Sequence, residues 1–193
     1  MRPLPLALAG GALAAEVTTH LVNFGAYDLR IHVLDSSYEW SWSHLAATGA
    51  FAAGAVIGAI GARRVARKRR AWLALAALFA VLFLDNVTRF HTHIGVWPLI
   101  YAPLFGGLLV AVLAVSRDTE LAGTTVAAIA LLVVSLGIHV FGHQLVSDLG
   151  WGADSWPYQV KVALKEGTEL AGWVLLVPAL ASLAFRTEPS PRR

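Results

Sequence analysis

The chain has 193 residues, of which 57% are hydrophobic and only 14% charged, and its mean hydropathy is +0.64. A water-soluble domain of this length needs more polar surface than 15 basic and 12 acidic side chains supply, so soluble, disordered, collagenous and coiled-coil classes are excluded and an integral membrane protein is implied. Cysteine is absent, which removes disulfides, thiolate metal sites and cysteine nucleophiles. The net charge of +3 is no signal of nucleic acid, because Arg63, Arg64, Arg67, Lys68, Arg69 and Arg70 form one short stretch between two apolar runs.

A spanning helix needs about 20 mostly apolar residues. In chain order the segments that meet this are roughly 4–27, 39–62, 71–90, 97–116, 121–146 and 157–185. The expected fold is therefore all-α, a six-transmembrane-helix bundle in a single domain over 1–193. The first segment also has features of a signal peptide, with Arg2 ahead of the run Leu4 to Ala15 and small residues at Ala12 to Ala15. Against cleavage, Glu16, Thr19, His20 and Asn23 continue one helical face beyond that point. The ladder Gly49, Ala53 or Gly54, Gly58 and Gly61 in the second segment reads as a close-packing face. The fourth segment has no ionisable residue and reads as peripheral.

Lys and Arg are retained on the cytoplasmic side, so the basic stretch after the second helix places both termini inside. Arg2, the six stretch residues, Arg117, Arg186, Arg192 and Arg193 then make eleven of the fifteen basic residues cytoplasmic, against three acidic ones, Asp118, Glu120 and Glu188. Trp40, Trp42, Trp97, Trp151 and Trp156 fall near the outer interface, where an amphipathic ring suits headgroup depth. A multi-pass protein of a bacterial plasma (inner) membrane is the expected localisation.

With that topology all seven histidines fall in the outer half: His20, His32, His44, His91, His93, His139 and His143. Glu16, Glu39, Asp85, Glu166 and Glu169 join them, while the inner halves are free of ionisable side chains except at their ends. Charges at such depth cost several kcal/mol unless paired, ligated or wetted, so they should face the bundle interior and meet one another. Residues four apart share a helix face, which pairs Glu16 with His20 and His139 with His143; Glu166 and Glu169 form a comparable pair. Asp85 and Arg89, and Lys165 and Glu169, have salt-bridge spacing, which leaves Glu166 as the freer carboxylate. His32, Asp35, Glu39, His91 and His93 read as solvated loop residues.

Imidazole and carboxylate without thiolate suit a transition metal, zinc or iron first. The expected ligands are His139, His143, His20 and Glu16, with His44 and Glu169 as further candidates and Glu166 or Asp85 as general base. Such a centre, open to the outer face, would serve metal-dependent chemistry on a lipid, quinone or other amphiphile from within the bilayer. Three alternatives stay open. Haem b could sit between His20 or His44 and His139. Ion or proton handling would use the same groups, although apolar inner halves argue against a through-path. A structural subunit that binds a partner protein needs no metal, provided Lys161, Lys165 and Arg89 neutralise the carboxylates.

Overall fold

The computed structural model describes the backbone of residues 3–90 and 97–185, and the side chains of these apart from residues 3, 97–100 and 143. All regular structure among them is helical: α1 (Pro3–Tyr27), a 3-10 turn (His32–Leu34), α2 (Trp42–Arg64), a second 3-10 turn (Ala66–Lys68), α3 (Arg69–Thr88), α4 (Trp97–Ser116), α5 (Ala122–Asp148) and α6 (Trp156–Phe185). Five of the helices are long and apolar enough to cross a membrane, and the described part of α4 contributes a shorter apolar stretch, Tyr101–Ser116. The expectations for His91, His93 and the terminal charges Arg2, Arg186, Glu188, Arg192 and Arg193 lie outside the described residues.

The boundaries follow local chemistry. The helix expected from residue 39 begins at Trp42, because Ser41 is its N-cap: the hydroxyl accepts the His44 N–H at 3.4 Å. At the other end of the chain order, α3 stops at Thr88, where Arg89 takes a left-handed conformation (φ 56°) and its N–H closes onto Asp85 O. Pro103 and Pro178 lie inside α4 and α6.

The chain divides into two compact units, residues 1–47 with 127–175, and residues 48–126 with 176–193. In the first, α6 is held against α1 and α5 through glycines. A Cβ on Gly167 would stand 3.3 Å from Leu13 O of α1, and one on Gly172 would stand 3.2 Å from Ala128 O of α5. Each helix backbone thus approaches its neighbour closely only because a side chain is missing.

In the second unit the same device is used by α2 against α3. Gly54 lies under the Phe79 ring, Gly58 faces the Ala76 backbone, and Gly61 receives the Trp72 indole. The small-residue ladder is therefore a packing face, but its register runs through Gly54, Gly58 and Gly61; Gly49 faces open space. Phe79, Trp72 and Leu75 are fully buried as a result. Helix α4 is not purely apolar in its contacts, since the Tyr101 hydroxyl donates to the Asp85 carboxylate of α3.

Candidate functional site

The first unit contains the deeply buried ionisable side chains, and they start from one stripe of α1. Glu16, His20 and Asn23 are spaced four and three apart, so they share a face, and all three are at most 1% exposed. Their partners come from the segment that follows α1. Asn23 Nδ2 donates to Ile31 O at 2.9 Å while the Ile31 N–H donates to Asn23 Oδ1 at 3.1 Å. The Ser36 N–H donates to His20 Nδ1 at 3.0 Å, and the Ser36 hydroxyl donates to Glu16 Oε1 at 2.5 Å. The connection folds back over α1 because three side chains satisfy its backbone and hydroxyl groups, which would otherwise be buried without partners.

The protonation of His20 follows from Gln159 on α6. Gln159 Nε2 donates to Ala153 O at 2.6 Å, which turns Oε1 towards His20 at 2.7 Å. The imidazole Nε2 must therefore carry the proton and donate, while Nδ1 accepts from Ser36. Both ring nitrogens are committed, leaving no lone pair for a metal or a haem iron. Asp35 Oδ1 is 3.9 Å from Nδ1 and is itself held by the Ser37 N–H and hydroxyl at 2.9 and 2.6 Å. Asp35 is buried rather than solvated, unlike the exposed His32 and Glu39 of the same connection.

Next to this network α6 presents Lys165, Glu166 and Glu169. Lys165 Nζ is 2.8 Å from Glu166 Oε1 and 2.8 Å from Glu169 Oε2, so one ammonium bridges both carboxylates. That corrects the expectation that Lys165 would pair with Glu169 alone and leave Glu166 free. Glu169 Oε1 also accepts from Trp173 Nε1 at 3.4 Å, and the His44 imidazole lies within its electrostatic reach. Glu166 lies within electrostatic reach of Glu16 as well as of Lys165 and Glu169. Lys161 completes the group, within reach of Glu166 and with its ammonium 4.4 Å from the Tyr158 ring centre.

The carboxylate left without a cation in contact is Glu16. Its Oε1 has Ser36, but Oε2 is buried and has no hydrogen-bond partner among the described residues. A buried carboxylate with one hydroxyl donor and a second carboxylate nearby is a site of unbalanced negative charge, which costs several kcal/mol unless a cation or proton joins it.

Not every expected residue enters this site. His139 lies on an exposed part of α5, whereas Ser135, one turn earlier, is buried and donates to Lys165 O at 2.9 Å. The His143 side chain lies outside the described residues. Asp85 belongs to the second unit, with Tyr101 as its donor. Among the described residues no group of three His, Asp or Glu side chains is arranged to hold a metal ion, so the expected convergence of His139, His20, Glu16, His44 and Glu169 on one ion is not found there. What the sequence reading missed is Gln159 and Ser36. Gln159 had a signal, lying seven residues before Glu166 on the same helical face; Ser36 had none.

These features define a helical protein with several membrane-compatible helices and a buried to half-buried network of carboxylates, histidine and lysine in one unit. Residues 5–183 match the model of a domain of unknown function, DUF8692, and the chain belongs to that family. No curated protein and no solved structure matches it.

Proposed function

We propose that this is a six-span integral membrane protein, both termini cytoplasmic, that takes up a small cation from the outer side at Glu16 and Glu166. The observation that carries this reading is Glu16 Oε2, a buried carboxylate oxygen with no partner, beside a second carboxylate whose own ammonium is already shared with Glu169. The apolar inner halves favour binding and release on one side over conduction across the bilayer.

The oxygen-rich surroundings favour a proton or a hard metal cation over a thiophilic one. A transition metal, zinc or iron, would need the carboxylates and His44 to rearrange around it, since His20 is occupied by Ser36 and Gln159 and no three described His, Asp or Glu side chains are arranged around one ion. Metal-assisted chemistry on a lipid or quinone would follow from that occupant alone.

The test uses the full chain in nanodiscs. Its unfolding temperature is followed against pH and against sodium, magnesium, calcium and zinc at fixed ionic strength, for the native chain and Glu16→Gln. A bound cation stabilises by mass action, so one of these series should raise the native midpoint and leave Glu16→Gln unmoved. If no series separates the two proteins, and their infrared spectra show the same protonated-carboxyl band, the reading fails. The topology is tested separately, by single cysteines at Ser36, Ser147 and Arg67, expected to label from outside, outside and inside.

A further inference from the structure

Where α1 ends and α6 begins, the first unit has a second polar feature, open at the surface, that the carboxylate site does not use. A cavity of about 590 Å3 lies between the two helix ends, within the range of ~300–1,000 Å3 usual for small-molecule sites. One wall is aromatic. The Trp156 indole lies against α1 at Gly25, where a Cβ would come within 2.9 Å of it, and the Phe24 ring meets the indole edge-on with centroids 4.8 Å apart.

The lining also carries charge, with two carboxylates, Asp28 and Asp154, and one guanidinium, Arg30. Asp28 and Arg30 are each 83% exposed and touch only at 4.0 Å, so neither is spent on the other. The backbone that carries them is held in an unusual shape. Asp28 and Leu29 both adopt left-handed conformations (φ 52° and 58°), closed by Asp28 N–H to Phe24 O and Leu29 N–H to Asn23 O. Glycine is the usual residue for such a turn, yet this chain places an acid there, at the mouth of the cavity.

Aromatic faces combined with carboxylates recognise an ammonium group, and a guanidinium recognises a phosphate. Tyr27 ends one membrane-compatible helix and Trp156 opens another, which puts the cavity at headgroup depth. We infer that this cavity binds the zwitterionic headgroup of an aminophospholipid, with its ammonium among Asp28, Asp154 and the Trp156 indole and its phosphate on Arg30. The molecule that meets both halves of the cavity at that depth is a phosphatidylethanolamine of the outer leaflet.

Native mass spectrometry of the full chain, released from detergent with defined lipids, tests the assignment. Phosphatidylethanolamine should be retained about tenfold better than phosphatidylglycerol, which has the phosphate without the ammonium. The preference should vanish in Asp28→Asn with Asp154→Asn, and Arg30→Gln should weaken both lipids. Trp156→Leu provides a second variant aimed at the ammonium, and circular dichroism checks that each variant stays helical. Equal retention of the two lipids by the native chain, or an unchanged preference in the double Asn variant, would overturn the inference. So would glycerophosphoethanolamine competing as well as the intact lipid, since the ligand would then be a soluble zwitterion.

Discussion

Both units close helix contacts through glycines, but they differ in what else is buried between the helices. In residues 1–47 with 127–175 the buried positions between helices include Glu16, His20, Asn23, Ser135 and Gln159, each tied to a named donor or acceptor except for one oxygen of Glu16. In residues 48–126 with 176–193 the contact of α2 with α3 is made by glycines under aromatic rings. Glycine packing works with whatever ring fills the space, so it specifies shape. A buried polar network is strongest when every member is satisfied, and a gap in it carries a cost that a bound group can recover. Each unit has one such gap among the described residues, Glu16 Oε2 in the first and Trp72 Nε1, against Gly61, in the second; the first is the more costly because it belongs to a carboxylate rather than to a neutral donor.

The comparison is broken most severely by removing the ammonium that the first unit depends on. Lys165→Met leaves Glu166 and Glu169 facing each other without their shared cation; taking one partner from a fully buried ion group costs about 3–5 kcal/mol, and these side chains, about a quarter exposed, should lose the lower end of that range. Denaturant unfolding in mixed micelles should report a loss of that order. Adding Glu166→Gln and Glu169→Gln to the same chain should restore most of it, because the orphaned charges are gone. If Lys165→Met alone costs less than about 1 kcal/mol, the carboxylates are not relying on Lys165 and the charge argument for Glu16 weakens with it.

In the second unit the corresponding lesion is steric. Gly58→Ala brings a methyl to 2.6 Å from the Ala76 nitrogen, so α2 and α3 must separate, at a cost of about 1–3 kcal/mol. Gly49→Ala meets open space and should instead gain up to about 1 kcal/mol from helix propensity. The opposite signs of two identical substitutions, nine residues apart on one helix, are the sharpest test of the packing register, read from the same unfolding curves.

His20 tests the network itself. His20→Ala removes an acceptor from the Ser36 N–H and a donor from Gln159 Oε1, and an unsatisfied buried group costs about 1–3 kcal/mol. Hydrogen exchange at the Ser36 amide should quicken in His20→Ala and stay slow in Gln159→Leu. In a double-mutant cycle the two losses should fall short of additive, since both break one bond. Simple additivity would mean that the imidazole and the amide do not depend on one another.

The helices were legible because long apolar segments announce themselves by length and apolarity, and the positions at which α1, α4 and α6 begin and end differ little from the expected ones. The burial of Glu16 and His20 was legible too, from the cost of a polar stripe at depth. Their partners were not. The sequence reading looked for a metal to satisfy His20, whereas the acceptor Nδ1 is met by a backbone N–H of the following connection, and every residue except proline carries such a donor, so residue type gives no hint of it. His139 is placed apart from this network for a different reason. It stands four residues after Ser135, and at 100° per residue that is about 40° round the helix, enough to take the side chain from the buried face of α5 to an exposed one.

The smallest effect belongs to a side-chain hydrogen bond between α2 and α3 in the second unit, Thr48 hydroxyl to Asn86 Oδ1 at 3.0 Å. Thr48→Val keeps the shape and removes the donor. Hydrogen bonds between membrane helices average only about 0.6 kcal/mol, because the separated helices find other partners, and Thr48 is half-buried rather than sealed. The glycine register should hold α2 against α3 without it, so the expected loss is below about 1 kcal/mol in the same micelle unfolding assay. A loss as large as that of His20→Ala would mean that the α2–α3 contact also leans on a polar group, and the contrast between a polar unit and a glycine-packed one would have to be redrawn.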